Sequence, residues 1–575
     1  MKQQRLLQKL QRGLFLLGIG LLLALLFRWC QAPSLNAERS QPLPQHSFIQ
    51  VYTNHNPLNR YPEPYRNQTR LGDNLEQIIV DQIGQARTSV DVAVQELRSP
   101  IIAKALGDRA AAGVRVRLVL ENTYSRPLSS IPAAEVQQMD AHQQERYRQN
   151  IRLIDRNGDG QLSVSEIDSY DALVIIAKAG IPWIDDTADG SAGSGLMHHK
   201  FMVVDGQQVI VTSANFTMSD MHGDFSPQQS LGNANSLLQI QSGAIANLFT
   251  EEFNLLWGDG PGGKADSLFG VKKPFRPAQA ISVGDAVVQV KFSPTPAEVP
   301  WEFSSNGLIG KTLAQGHKKI DLALFVFSDQ QIADQLEIAA QKGAVVRVLI
   351  EPSFIFQYYS EALDLLGAAL PARTRAVSDS PEVPQGDNAD QNGIPKPCRT
   401  ELNNHPWSRP IQTVGIPKLP PGDLLHHKYG VVDETTVIVG SHNWTEAADR
   451  QNDETLLVIE SSTVAAHYER EYDRLWANSR LGLPDKIRSA WQAMQQTCGV
   501  ASASATRLES PNLQRINLNT ASLKELESLP GIGAKLAQRI IDARAQQPFS
   551  ALEDLKRVPG VKAKVLEKIG DRVTW

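Results

Sequence analysis

Two stretches of this sequence set the same side chains at the same spacings. The first runs His198-His199-Lys200, then Asp205 after four residues, then Thr212-Ser213-Ala214-Asn215 after six more. The second runs His426-His427-Lys428, Asp433 and Gly440-Ser441-His442-Asn443 with the same gaps, and only Thr212 in place of glycine breaks the pattern H-x-K-xxxx-D-xxxxxx-G-S-x-N in the first copy. An imidazole can attack an electrophile or release a proton, but one ring cannot do both on opposite sides of a reacting atom at once. Ammonium and amide groups are donors suited to negative charge that grows on oxygen in a transition state. Each copy fits a strand, a turn and a second strand, and together the copies hold the parts of a nucleophile and acid pair.

The doubled motif resembles that of the phospholipase D superfamily of phosphodiesterases. The resemblance implies an α/β fold of two tandem halves around one pseudo-twofold active site, with His198 and His426 in line across one phosphate. It also implies a covalent phosphohistidine intermediate, with Lys200, Lys428, Asn215 and Asn443 converging on the non-bridging oxygens. Asp205 and Asp433 are expected to be structural members of the motif. His199 and His427 sit next to the motif histidines, so on a strand they face away from the site. Eleven residues past Asn443 stands Glu454, where this family places a carboxylate against the catalytic histidine. Aligning QNDETLLVIES with GNANSLLQIQS puts Asn235 there in the first half, after nine extra residues around His222. With partners taken from the same half, the carboxylate keeps His426 protonated and the amide leaves His198 neutral. His198 is therefore expected to be the nucleophile and His426 the general acid, with no metal required at the phosphate.

The elements that must position these groups repeat as well. Leu75 to Glu121 and Leu308 to Glu351 each read as a helix, an apolar strand, a second helix and a β-branched strand. FTEEFNLLW, ending at Trp257, and YEREYDRLW, ending at Trp476, read as amphipathic helices closing each half, with both tryptophans in the core. From about 372 to 422 the chain is rich in Pro, Asn, Asp and Gly, which predicts a long loop before the second motif.

The last segment bears on the substrate. Leu529-Pro530-Gly531-Ile532-Gly533, a helical stretch to Arg544, and Val558-Pro559-Gly560-Val561-Lys562 resemble the tandem helix-hairpin-helix domain of competence-type DNA-binding proteins. Glycines at 531 and 533 let a turn present backbone N–H groups to a phosphate, with no reading of base sequence. Gly531, Ile532, Gly533, Lys535, Gly560 and Lys562 are the candidate DNA contacts, although Lys562 stands where a second glycine is usual. From Pro511 onward eleven Lys or Arg face seven Asp or Glu, a net +4, so the remaining 510 residues carry −9 of the total −5. The basic module is the one that resembles a DNA binder.

Two further features stand outside the motifs. Lys2, Arg5, Lys9 and Arg12 precede an apolar run from Gly13 to Phe27, which reads as a signal anchor or signal peptide with the bulk of the chain outside the cytoplasm, either membrane-anchored or secreted. In such a compartment Cys398 and Cys498 are candidates for a disulfide. Asp155-Arg156-Asn157-Gly158-Asp159-Gly160-Gln161-Leu162-Ser163-Val164-Ser165-Glu166 fits the twelve-residue EF-hand calcium loop. Its Asp155, Asn157, Asp159, Gln161, Ser163 and Glu166 would hold Ca2+ as a structural clamp.

The organisation read from the chain is a membrane or signal segment at 1–30, a linker at 31–46, halves at 47–275 and 276–490, a linker at 491–512, and a small all-α helix-hairpin-helix domain at 513–575. The expected function is an extracytoplasmic DNA-binding nuclease. The alternative is a phospholipase D acting on phosphatidyl head groups, taking phosphatidylcholine to phosphatidic acid.

Overall fold

A computed structural model describes residues 41–370 and 404–498, and in the C-terminal region residues 516–521, 523, 526, 529, 532, 534–549, 552–561 and 573–574. The chain divides into two compact units between Thr497 and Cys498.

The first half runs β1 (Ile49–Thr53), α1 (Leu75–Gln85), β2 (Ser89–Val94), α2 (Pro100–Ala111), β3 (Arg115–Leu120), α3 (Ala141–Ile154), α4 (Val164–Tyr170), β4 (Trp183–Asp185), β5 (Lys200–Val204), β6 (Gln208–Thr212), β7 (Ser236–Gln241) and α5 (Gly243–Trp257). Its sheet has the order β1-β7-β6-β5-β2-β3-β4. Strands β2, β3 and β4 are parallel, while β5, β6 and β7 join antiparallel. The parallel strands are apolar runs covered by helices, as their two-sided burial requires.

The second half repeats this plan with β8 (Gln279–Val283), β9 (Ala286–Ser293), α6 (Ser305–Ala314), β10 (Lys319–Leu324), α7 (Gln330–Gln341), β11 (Val345–Ile350), β12 (Val414–Ile416), β13 (Lys428–Val432), β14 (Thr436–Gly440), β15 (Asn452–Glu460), α8 (Ser462–Trp476), β16 (Arg480–Leu481) and α9 (Asp485–Cys498). The sheet order is β8-β9-β15-β14-β13-β10-β11-β12-β16.

One apolar core joins the halves, since α5 residues Phe249, Phe253 and Trp257 and α8 residues Tyr468 and Tyr472 belong to the same buried cluster. Phe249 packs edge-on to Phe201 at 5.0 Å and to Phe292 of the second half at 5.1 Å. Each buried phenylalanine contributes about 1.5–3 kcal/mol, so neither half is expected to fold well alone. The duplication reaches surface detail: Arg117 lies over Phe253 and Trp257 and pairs with Asp91, and Arg347 lies over Tyr472 and Trp476 and pairs with Asp321.

The linkers and the long loop differ from expectation. The 491–512 linker begins inside α9, which continues to Cys498. The 31–46 linker ends as packed structure, because Gln45 bonds both backbone groups of Val51 and His46 Nε2 bonds Asp285 at 2.7 Å. Within the 372–422 stretch, β12 adds to the sheet beside β11, and Trp407 is buried with its backbone N–H on the Asp364 backbone carbonyl. A loop composition hid these because a three-residue strand needs only one buried side chain in register.

Residues 1–40, Cys398, Gly531, Gly533 and Lys562 lie outside the described residues, as do the side chains of Cys498 and Lys535. Among the described residues no helix is long and apolar enough to cross a membrane.

In the C-terminal unit, Leu518, Leu526, Leu529, Ile532, Ala537, Ile540, Phe549, Leu555 and Val558 form the core. Its turns repeat: the Ile532 N–H donates to Leu529 O at 3.0 Å and the Val561 N–H to Val558 O at 3.1 Å.

Candidate active site

The motif turns explain the aspartates. Asp205 and Asp433 follow β5 and β13 in left-handed backbone, with φ of 53° and 52°. Asp205 accepts the N–H groups of Arg87, Thr88 and Ser89, and Asp433 those of His317, Lys318 and Lys319. Each thereby ties the motif turn to the start of the adjacent antiparallel strand, β2 or β10. A five-residue strand of about 16 Å separates Asp205 from the lysine end, so its role is structural.

At the other end of β5 and β13 the chemistry collects. Lys200 and Lys428 are buried, and their Nζ atoms donate to the carbonyls of His198 at 3.0 Å and His426 at 2.7 Å. Lys200 also donates to Gln95 Oε1 at 3.1 Å, whereas Lys428 lies over the Phe325 ring at 4.8 Å. Gln95 and Phe325 occupy equivalent places, each with its N–H on the carbonyl of the second motif histidine. The two sides of the site thus differ, one polar and one aromatic.

The first histidine of each motif is held by the opposite half. The His198 N–H donates to Asp453 O at 3.0 Å, and the His426 N–H donates to Ala234 O at 3.1 Å, two bonds related by the pseudo-twofold axis. Next in sequence to those carbonyls come the ring partners. His198 Nδ1 lies 2.7 Å from Glu454 Oε2, and His426 Nδ1 lies 3.0 Å from Asn235 Oδ1. This reverses the pairing expected from sequence, where Glu454 was matched with His426 and Asn235 with His198. The reason is topological: β7 and β15 begin at the boundary between halves, so their first residues reach across it. A carboxylate and an amide oxygen both accept, so each ring keeps its proton on Nδ1 and turns Nε2 outward. Ser441 Oγ donates to Glu454 Oε2, and Ser213 Oγ to Asn235 Oδ1, both at 2.7 Å.

Charge is concentrated here, with Glu454 and Asp220 acting on both lysines. Burial lowers Lys200 to about 8, and burial together with Lys200 brings Lys428 well below the usual lysine range. Burial and the two lysines hold His198 well below the ordinary imidazole value, so it is neutral. Burial and Lys428 lower His426 as well, and Asp220 pushes it the other way. Glu454 is raised by burial, and its Oε1 has no hydrogen-bond partner. Such a site, with two cations and two imidazoles each within reach of the other half's lysine, is built to receive an anion. Asn215 and Asn443 stand beside it, each with a buried amide oxygen that lacks a partner.

The neighbouring histidines belong to the interior, as their strand position predicts. His199 bonds Thr455 Oγ1 and Glu252, both at 2.9 Å, and His427 bonds Glu471 at 3.0 Å.

Thr212 replaces glycine because the two chain paths differ. A Cβ on Gly440, at φ 154°, would stand 2.1 Å from Thr455 O. Thr212 meets no such obstacle, and its Oγ1 donates to Ser236 O and accepts the Ala214 N–H.

The segment 155–166 has helices on both sides, α3 ending at Ile154 and α4 starting at Val164, and Gly158 and Gly160 take φ of 72° and 79°. Asp155 accepts the N–H groups of Gly158 and Gly160, Asn157 that of Asp159, Asp159 that of Gln161, and Glu166 reaches back to Arg156, Asn157 and Ser163. The donor set is all hard oxygen, which suits Ca2+. Among the described residues no three His, Cys, Asp or Glu side chains already stand in metal-holding geometry.

Of the DNA candidates, Ile532 has a buried side chain and its N–H is used within the hairpin. Gly560 has φ of 104° in the second hairpin, and Arg539 donates to the Pro559 carbonyl beside it.

A two-half sheet fold with this paired histidine site defines a class, and comparison with known proteins agrees. Residues 79–257 and 309–476 match the family described as cardiolipin synthase, PLD-like domain, and residues 511–574 match a helix-hairpin-helix motif. The chain belongs to the PLD-like domain family.

Among curated relatives, it is 23% identical over 181 residues to the mitochondrial cardiolipin hydrolase of Mus musculus, covering 32% of this chain and 62% of that protein. It is 28% identical over 125 residues to a phospholipase D of Rickettsia bellii, covering 20% of this chain and 61% of the other. Against the Xenopus laevis cardiolipin hydrolase the match is 42% over 52 residues, 9% of this chain and 25% of that one. The matched segments therefore span from a quarter to about three fifths of these relatives. Among solved structures, phosphatidylserine synthase from Haemophilus influenzae covers 79% of this chain and 94% of its own at 12% identity and a TM-score of 0.44. The phospholipase D family member Nuc from Salmonella typhimurium covers 35% of this chain and all of its own at 19% identity and a TM-score of 0.23.

Proposed function

We propose that this protein hydrolyses phosphodiester bonds through a phosphohistidine intermediate, and that its substrate is DNA. The observation that carries the first part is the pairing of His198 Nδ1 with Glu454 at 2.7 Å in a site holding two buried lysines. His198 Nε2 attacks phosphorus and the bond to the leaving oxygen breaks, that oxygen taking a proton from His426 Nε2. Water then gives a proton to His426 Nε2, its oxygen bonds phosphorus, and the phosphorus–nitrogen bond breaks. Lys200, Lys428, Asn215 and Asn443 donate to the non-bridging oxygens throughout. Glu454 faces the positive charge that His198 acquires when phosphorylated. His198 thus keeps the role expected from sequence on different grounds, namely an oriented nucleophile rather than one neutral for want of a carboxylate.

Support for DNA comes from the helix-hairpin-helix motif at 511–574 and its net positive charge. The N-terminal apolar run would tether the enzyme to a membrane with its bulk outside the cytoplasm. Asp155, Asn157, Asp159, Gln161, Ser163 and Glu166 would hold Ca2+ as a structural clamp, remote from the phosphate chemistry. The second reading is cleavage of phospholipid, favoured by the similarity to cardiolipin hydrolases and a phospholipase D. The test is turnover by the full chain in detergent of plasmid and single-stranded DNA against cardiolipin and phosphatidylcholine micelles. Cleavage of DNA with lipids untouched is expected, and the reverse pattern replaces the nuclease assignment with the lipid one.

A further inference from the structure

Asp220 is a carboxylate that the reaction above leaves without a task. It is 3% exposed, in the short helix Met218–Met221 that follows the first motif. Its Oδ2 accepts the N–H of Asn215 at 2.7 Å, and its Oδ1 accepts Asn233 Nδ2 at 2.6 Å. Asn235, which holds the His426 ring, donates its Nδ2 to the Asp220 carbonyl at 3.1 Å and to Oδ1 at 3.4 Å. The same Oδ1 lies 3.7 Å from His426 Nδ1.

The second half shows that the fold does not demand this charge. Thr217 caps the short helix through the Asp220 N–H at 3.3 Å, and Thr445 caps its counterpart through the Ala448 N–H at 3.1 Å. Alanine thus occupies the equivalent place. The halves have exchanged their carboxylates: one offers Ala448 and Glu454, with Glu454 directly on His198, and the other offers Asp220 and Asn235, with an amide on His426 and the charge just behind it.

We propose that Asp220 is the positioning residue of His426, supplying from behind Asn235 the negative charge that favours the protonated ring as the acid toward the leaving oxygen. The proposal rests on the phosphodiesterase reading. The ring is faced by Lys428 on its own strand, by Lys200 and His198 from the first half, and by Phe325 at 5.0 Å. Glu351 is bonded to the N–H of Leu425, one residue earlier. Of the charged groups acting on the ring, the lysines and His198 discourage its protonation and Asp220 favours it. Burial pushes the Asp220 carboxyl up, but His426, Asn233, the Asn215 N–H and Lys200 outweigh this and hold it below the usual range, so it is ionised. By binding the Asn215 N–H it also fixes the donor on the phosphate.

The test compares leaving groups in the full chain, by rapid quench of the phosphoenzyme formed from a p-nitrophenyl diester and from a dialkyl phosphate such as a dinucleotide. Nitrophenolate leaves without a proton and an alkoxide does not. Asp220→Asn should slow phosphoenzyme formation from the dialkyl ester by about 10- to 100-fold and from the nitrophenyl ester by less than about threefold. It should also move the alkaline limb of the dialkyl profile to lower pH, since loss of the carboxylate lowers the imidazole further. A second pair guards against misfolding of that variant. Asp220→Ala with Asn235→Glu copies the residues of the other half, and Asp220→Ala with Asn235→Gln differs from it only in charge. The glutamate pair should keep its alkaline limb about one pH unit above the glutamine pair. Equal losses with both leaving groups and coincident limbs overturn the proposal. If the wild type forms no phosphoenzyme from either ester, the phosphodiesterase reading itself has failed, a result distinct from the first.

Discussion

Replacing Glu454 by glutamine should separate activity from stability in opposite directions. The carboxylate is fully buried, accepts from His198 Nδ1 and Ser441 Oγ through Oε2, and leaves Oε1 unpaired. Glutamine has the same shape and can still accept the Nδ1–H, so the ring keeps its orientation and loses only the charge. A hydrogen bond to a charged group contributes about 1.5–3 kcal/mol against about 0.5–1.5 for a neutral one, a difference of roughly 1–2 kcal/mol in the state where His198 is cationic. At about 1.4 kcal/mol per decade this is a loss of roughly 5- to 30-fold. The upper limit is the full attraction of two charges, about 4 kcal/mol at 4 Å in an effective dielectric of 20, or roughly 1000-fold.

Stability should move the other way. Burial raises the Glu454 carboxyl, so the folded chain binds its proton more tightly than the unfolded chain does. Its contribution is present at low pH and lost as pH rises through the folded value. Glutamine escapes that loss, and the variant's melting temperature should match or exceed the wild type's, by more at alkaline than at mildly acid pH. The assays are phosphoenzyme formation by rapid quench and calorimetric melting at two pH values. A variant that keeps full activity, or one whose activity and melting temperature fall together at both pH values, contradicts a charged partner for His198.

Three other perturbations address the lysine, the calcium loop proposed at 155–166 and the terminal module. Because burial lowers Lys200 to about 8, inhibition by vanadate or inorganic phosphate should weaken as pH rises through that value, and Lys200→Arg should flatten the dependence; binding independent of pH across this range contradicts a cationic role. Calcium should raise the melting temperature of the chain and Glu166→Gln should abolish the gain, with turnover surviving chelation at low temperature; immediate, temperature-independent loss on chelation would put the metal in the chemistry. Deleting residues from about 511 should weaken duplex DNA binding and its salt dependence while leaving hydrolysis of a small soluble diester unchanged; equal DNA binding by the truncated and intact chains removes the terminal module from substrate capture.

Much of the site was legible because the motif is local. The spacing from Lys200 to Asp205 and on to Thr212 is a five-residue strand, a tight turn and a second strand, and the same holds from Lys428 to Gly440. Alternation along the strand placed His199 and His427 inside. What could not be read is what crosses between halves. Glu454 and Asn235 were recognised as ring partners, but their assignment depended on whether β7 and β15 begin on their own side of the axis or the other, and sequence separation carries no such information. Asp220 was hidden for a related reason. It lies five residues past the first motif, just before the extra residues of that half, and its counterpart Ala448 gives no hint of chemistry. Gln95 and Phe325 were passed over because each is one residue past an apolar strand, where nothing in the pattern separates a site residue from a loop.

In the proposed reaction the two histidines divide the work unequally, with His198 forming the covalent bond. Acid quench during turnover of a labelled diester, followed by peptide mapping, tests it directly. The label should be found on His198, should be absent in His198→Ala, and should accumulate slowly in His426→Ala with a nitrophenyl ester. Label on His426 contradicts the assignment.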